Sequence, residues 1–243
     1  MNPSACICSA PPRIDDSRAP RRVLNDDGPE TRGSTAASTA TSRATMVVVR
    51  DDEPAEKANR GVAVPPLAEE DHVCPECGLC YAQLSVESAV ELIRAVPTAV
   101  RETVAGIPAS AHRWRPGTGA WSVVEYVCHV RDVYAVSTIR LHRARTEDRP
   151  VLEPMLNDLR ARRFRYNERD VGAVLDELDA NAAGFCDEAD RVGPGDWART
   201  VTRLPGEQRT ARWLVRQAVH EGQHHLGDIR RLGQAAGEVP NPD

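Results

Sequence analysis

From Leu84 onward the apolar residues fall in a helical rhythm. Val86, Ala89, Val90, Leu92, Ile93, Val96 and Val100 recur three and four residues apart, the spacing that lines one helix face. They predict a first helix from about Ser85 to Val104, with a kink expected at Pro97. After the loop Gly117-Thr-Gly-Ala-Trp121, the run Ser122-Val-Val-Glu125 has the form of a capping box. It opens a second helix to about Arg145, with Val123, Tyr126, Val127, Val130, Val133, Val136 and Leu141 on a broad apolar face. A third helix spans about Val171 to Val192 through Val174, Leu175, Leu178, Phe185 and Ala189, and Gly193-Pro-Gly-Asp ends it. A fourth covers about Thr210 to Ala236. Residues 146–169 are charged and irregular, with a short helical piece near Leu152 to Arg163. Trp197 to Arg209 is a connector containing a Pro205-Gly206 turn.

No stretch alternates convincingly as a strand, and no repeat of fixed period is present. Four amphipathic helices bury their stripes most simply in an all-α four-helix bundle. Residues 1–70 read differently. They are rich in Ser, Thr, Ala, Arg, Pro and Asp, without periodicity, and such a segment buries too little apolar surface to offset its ordering entropy. The expected organisation is therefore a disordered tail over 1–70, a cysteine-rich element over 71–83, the bundle over 84–237 and a tail over 238–243. Met46 is an alternative start, a reading excluded if the native protein's N-terminal mass spectrum begins at Met1.

Composition narrows the classes. The chain has 243 residues with 4% aromatics, which points to one modest domain. A net charge of −5 argues against a nucleic-acid binder, which would carry a strongly basic face. No apolar run approaches the roughly 20 residues that span a bilayer, and the N-terminus lacks the apolar core of a secretory signal. The expectation is a cytoplasmic protein with no nucleic-acid or membrane partner. Seven cysteines, an odd number without secretory context, do not suggest a disulfide framework.

The densest chemistry lies in the fourth helix, where His220, Glu221, His224 and His225 fall within six residues. Residues four apart share a helix face, so the run offers two ligand pairs, Glu221/His225 and His220/His224. On a helical wheel Leu214, Val215, Ala218, Gly222, Leu226, Ile229 and Leu232 form the apolar arc. His225 lies inside it, Glu221 at its edge, and His220 and His224 point away, near Trp213, Gln217 and Arg231. Glu221 and His225 thus face the bundle interior, where a charged carboxylate needs a partner such as a divalent metal. His129, at the edge of the second helix's apolar face, is the candidate third ligand. Three protein ligands leave a position open, as in catalytic sites. The plainer readings are a hydrogen-bonded core histidine at 129, a surface ion pair of Glu221 with Arg216 or Arg230, and a chance H-x-x-x-H.

Trp121-SVVEYVCHVRDV resembles the W-S-x-x-E-x-x-x-H-x-x-D signature of the DinB-like superfamily, and HEGQHHLGDIRRL resembles that superfamily's closing helix. The resemblance runs from about Leu84 to Gly237. It implies a DinB-like four-helix bundle holding a divalent metal, zinc or nickel, on three side chains. The motif histidine falls on His129. In the final helix many members use two histidines four apart, whereas the maleylpyruvate-isomerase branch uses Glu and His. Aligning Asp228-Ile229 places the latter pair on Glu221 and His225; in the other register His220 and His224 are the ligands. The superfamily includes mycothiol-dependent isomerases and bacillithiol- and mycothiol-dependent S-transferases. The resemblance therefore implies thiol-dependent transfer or isomerisation, with a low-molecular-weight thiol such as mycothiol and a small electrophile as partners. Hydrolysis by metal-activated water is a further option. Asp132 is either an orienting or cofactor-binding group or a solvated carboxylate, and Arg131, Arg216 and Arg231 are candidate anion contacts. Family members are often dimers, so a homodimer is a candidate assembly, although nothing in the periodicity marks an interface.

A second feature precedes the bundle. His72-Val-Cys74-Pro-Glu-Cys77-Gly-Leu-Cys80 sets four possible ligands within nine residues, and C-P-x-C-G has the shape of a zinc knuckle. No second knuckle follows, and the fourth cysteine of an iron–sulfur run is missing. A small structural zinc, free thiols or a redox pair at Cys74/Cys77 all remain open. Cys128 reads as a core thiol. Two other functional readings stand beside the enzyme: a non-enzymatic metal-binding or stress-response module, and a zinc-dependent regulator sensing through the cysteines.

Overall fold

The structure, a computed structural model, describes residues 64–238. Most of the expected disordered tail, the alternative start at Met46, and Cys6 and Cys8 lie outside the described residues, as do residues 239–243. The described chain is all-α apart from one small hairpin. Its helices are α1 (Val86–Ala105), α2 (Val123–Thr146), α3 (Asn157–Arg163), α4 (Val171–Asp190) and α5 (Ala211–Glu238).

Local signals set the helix starts. Ser85 caps α1 by accepting from the Ser88 amide at 3.1 Å. The predicted capping box opens α2: Ser122 Oγ accepts from the Glu125 amide at 3.3 Å, and Glu125 Oε2 accepts from the Ser122 amide at 2.9 Å. Asp170 caps α4 through the Ala173 amide at 2.8 Å. Such caps satisfy amides that have no partner inside the helix. The helix of α1 continues through Pro97, whose ring is buried with Ile93, Val96 and Val100.

Helices α1, α2, α4 and α5 form a four-helix bundle. Both α1 and α2 pack against α4 and α5, so consecutive helices α1 and α2 lie across the bundle from each other. This order requires long crossings in place of short turns, which accounts for the linkers 106–122 and 191–210. The interior is filled by Ala89, Ile93, Val127, Val130, Tyr134, Leu141, Leu178, Phe185, Val215 and Ile229, all buried. Each large apolar side chain so buried contributes roughly 1.5–3 kcal/mol in transfer free energy.

Two differences from the expected pattern matter. The connector after α4 contains a hairpin, β1 (Thr200–Thr202) and β2 (Gln208–Thr210), in antiparallel register with Val201 opposite Arg209. Gly206 in its turn has φ +83°, a left-handed conformation that glycine adopts without strain. Three-residue strands are too short to show alternation. Second, residues 64–84 pack along the hairpin and α5. The Leu67 amide donates to Glu207 at 3.0 Å, Arg209 donates to the carbonyls of Leu67 and Ala68, and Glu70 accepts from the Thr210 amide at 2.6 Å. Tyr81, Cys74, Trp213, His220 and His224 are buried where this segment meets α5. The side of α5 that points away from the bundle is therefore covered as well. No helix among the described residues is long and apolar enough to cross a membrane.

Candidate metal centre

His129 on α2 and Glu221 and His225 on α5 converge inside the bundle. His129 Nε2 lies 3.1 Å from Glu221 Oε2, and His225 Nε2 lies 3.3 Å from the same oxygen. The two rings meet edge to face with centroids 4.8 Å apart. His129 is 1% exposed, whereas the Glu221 and His225 side chains retain 17% and 10%, so solvent approaches the group from the α5 side. The outward neighbours hold this group. Gln217, one turn before Glu221, donates to Glu221 Oε1 at 2.6 Å. His225 Nδ1 lies 2.7 Å from Asp228 Oδ2. Trp121 and Tyr126 pack their rings against His129 and His225 at 5.1 and 5.2 Å.

The electrostatics follow from this packing. Burial opposes charge on Glu221, yet its contacts with His129 and His225 hold the carboxyl well below its usual range. Burial lowers His129. Burial acts the same way on His225, but hydrogen bonds to Asp228 and Glu221 outweigh it and push the imidazole up to about 9. The pair of α5 residues is brought close to α2 by Gly222. A β-carbon there would overlap the Tyr134 hydroxyl and press on Val96 at 3.2 Å.

The remaining candidates are placed elsewhere. His220 and His224 do not join this group, and neither is a surface residue: they are 2% and 5% exposed, facing the segment that carries Cys74 and Tyr81. Burial pushes His220 down to about 4 and lowers His224. Asp132 is buried, paired with Arg131 at 2.6 Å, with Arg160 at 2.5 Å and with the Tyr166 hydroxyl; it ties α3 and the following turn to α2. Glu221 has no pairing with Arg216, whose Nε donates to the Leu84 carbonyl at 2.9 Å. Arg131 also pairs with Glu177, and Arg231 with Asp228. Cys128 is fully buried. A cleft of about 380 Å³ opens beside Cys77, His224 and Arg231, on the opposite side of α5 from the group at His129. Sequence reasoning missed the roles of Gln217 and Asp228. Their positions four residues before Glu221 and three after His225 were the signal available.

Comparison with known proteins now bears on this arrangement. The model of the DinB superfamily matches residues 92–229, more than half of the chain. The chain belongs to the DinB superfamily. Among solved structures, this DinB protein resembles YfiT from Bacillus subtilis, described as a probable metal-dependent hydrolase with an unusual four-helix bundle topology. The TM-score is 0.60 at 17% identity, covering 72% of this chain and 95% of YfiT. A DinB-like protein, YjoA, from Bacillus subtilis aligns with TM-score 0.45 at 15% identity over 64% of this chain and 95% of its own. The mycothiol-dependent maleylpyruvate isomerase aligns with TM-score 0.47 at 14% identity over 64% of this chain and 68% of its own. The YfiT likeness supports the bundle fold. No curated protein matches the chain.

Proposed function

We infer that His129, Glu221 and His225 hold a divalent metal, zinc in the first instance, and that the protein is a metal-dependent DinB enzyme using a low-molecular-weight thiol, of the mycothiol type, on a small electrophile. The observation that carries this reading is the convergence of two imidazole nitrogens on one oxygen of the partly buried Glu221 carboxylate. Around a tetrahedral ion with bonds of about 2.0–2.1 Å, ligand atoms sit roughly 3.3 Å apart, and the separations here are 3.1 and 3.3 Å. A set of two imidazoles and one carboxylate is a donor set of catalytic zinc, and imidazole also suits nickel.

The surrounding residues behave as supports for such a set. Asp228 holds His225 Nδ1 and so leaves Nε2 directed at the centre, the usual arrangement behind a metal-binding histidine. Gln217 fixes the Glu221 carboxylate. Gly222 lets α5 approach α2 closely enough for His129 to reach it. A divalent metal bound there supplies acidification of a coordinated thiol or water, making it a nucleophile at neutral pH. With three protein donors, one position stays available for that small molecule. The thiol assignment rests on the DinB-like sequence motifs, and the reaction class is addition of a thiol sulfur to an electrophilic carbon.

The test is elemental analysis of purified protein and of His129→Ala, followed by turnover of an electrophilic substrate with and without added thiol. Metal lost in His129→Ala, together with thiol-dependent turnover, supports the reading. Turnover that ignores thiol redirects it to hydrolysis. Metal without turnover in either assay leaves a non-enzymatic binding module, and partner capture that depends on Cys74 and Cys77 favours the zinc-dependent regulator.

A further inference from the structure

The segment that covers α5 carries donors that the group at His129 does not use. Cys74-Pro-Glu-Cys77-Gly78 forms a tight turn. The Gly78 amide donates to the Cys74 carbonyl at 2.9 Å, and the Cys74 amide donates to the Leu79 carbonyl at 2.9 Å. Gly78 takes the left-handed conformation, φ +73°, that lets the turn close. An antiparallel bridge between Val73 and Cys80 closes the base of the turn. Such a turn presents two sulfurs in one direction, and that direction is α5.

On α5, His220 and His224 are one turn apart and project side by side. Ligand atoms of Cys74, Cys77, His220 and His224 all lie within 4.8 Å of one another. Cys74 Sγ is 3.6 Å from His224 Nδ1. Around a tetrahedral zinc, with bonds of about 2.3 Å to sulfur and 2.0–2.1 Å to nitrogen, a sulfur and a nitrogen ligand sit roughly 3.6 Å apart.

The outer nitrogens are also engaged. The Tyr81 hydroxyl donates to Gln217 Oε1 at 2.6 Å and lies 2.9 Å from His220 Nδ1. Its proton is committed to Gln217, so it accepts from Nδ1–H, and the His220 lone pair falls on Nε2. His224 Nε2 faces the carboxylates of Glu76 at 3.6 Å and Asp228 at 3.8 Å, which leaves Nδ1 for the cysteine side. His220, held on its outer nitrogen by Tyr81, is oriented as metal-ligating histidines are.

We propose that Cys74, Cys77, His220 and His224 form a second metal site, a closed tetrahedral zinc site that clamps the N-terminal segment onto α5. The H-x-x-x-H of α5 supplies the half that a second cysteine knuckle supplies in a zinc ribbon. His72 and Cys80, the other possible ligands in the cysteine-rich run, lie outside this group. Four protein donors fill the tetrahedron, so the site is structural, and it shares no ligand with the group at His129. Its link to that group is indirect. The clamped segment carries Tyr81, Tyr81 donates to Gln217, and Gln217 donates to Glu221, each at 2.6 Å. The clamp is thus a positioning device for the Glu221 carboxylate.

The experiment is metal stoichiometry and cobalt substitution on the full chain, in wild type, Cys77→Ser, Cys77→His, His220→Ala and His129→Ala. Cobalt-loaded wild type is expected to show a sulfur-to-cobalt charge-transfer band and the intense visible bands of a tetrahedral ion. Cys77→Ser and His220→Ala should each lose one metal per chain and the charge-transfer band, while keeping the metal that His129→Ala removes. Cys77→His, which retains a donor, should bind cobalt with a weaker charge-transfer band, so a folding failure in the serine variant is recognisable. A wild-type cobalt spectrum without the thiolate band overturns the proposal, as does a native disulfide between Cys74 and Cys77. So does a charge-transfer band that survives His220→Ala unchanged.

Discussion

His224 and His225 are adjacent in sequence, with ring centroids 5.3 Å apart, yet they meet different partners around α5. His225 meets Glu221, His129 and Asp228 inside the bundle, and His224 meets Cys74 and Glu76 beneath the N-terminal segment. A step of about 100° per residue separates them, and because both sides of α5 are covered, both are buried. The two clusters differ in donor count. The bundle side gathers two histidines and a carboxylate, three donors; the segment side gathers two cysteines and two histidines, four. Donor number, more than residue type, distinguishes a reactive centre from a structural one.

Exchanging the histidines should expose this contrast most strongly. His225→Ala and Glu221→Ala are each expected to strip the metal at His129 and abolish turnover. His224→Ala should leave that metal in place. Elemental analysis of the three variants reads the result, and the reverse ranking breaks the comparison. A smaller effect is expected from Asp228→Asn, which weakens the hold on His225 Nδ1. Metal affinity at the bundle site should fall by about 10- to 100-fold, measured by competition with a chelator; unchanged affinity would mean that Asp228 does not orient the ligand.

The close approach of α5 to α2 is testable without any metal. Gly222→Ala should destabilise the fold by about 1–3 kcal/mol through overpacking against Tyr134 and Val96. The Tyr134 hydroxyl is buried without a hydrogen-bond partner, so Tyr134→Phe in the same chain should restore most of the loss. Urea unfolding of the single and double variants measures both terms, and a failure to rescue places the clash elsewhere. The smallest effect belongs to Tyr81→Phe, which removes the hydroxyl between His220 and Gln217. It should cost about 0.5–1.5 kcal/mol and slow turnover modestly while both metals stay bound. If turnover is untouched, the two sides of α5 are energetically separate.

Much of this architecture was legible in the chain. The apolar spacing of α1, α2, α4 and α5 and the box at Ser122 and Glu125 identify four helices within a few residues of their ends, because caps and periodicity are local properties. The wheel also separates Glu221 and His225 from His220 and His224, since angular position on a helix follows from sequence alone. The hairpin at Thr200–Thr202 and Gln208–Thr210 was not legible, being too short to carry a period. Asp132 left open either a solvated carboxylate or a cofactor contact; the structure buries it against Arg160 and Tyr166, which come from residues 28 and 34 further along.

The chain by itself therefore determined the helices, their faces and the residues offered on each face of α5. Only the tertiary structure decided what those faces meet. His129 reaches Glu221 across 92 residues and Cys74 reaches His224 across 150. No local rule can pair such distant residues, because their approach depends on the helix order of the bundle, on Gly222 and on the docking of residues 64–84. The same H-x-x-x-H would be a solvent-facing pair on an uncovered helix; buried beneath the cysteine turn, it completes a set of four donors.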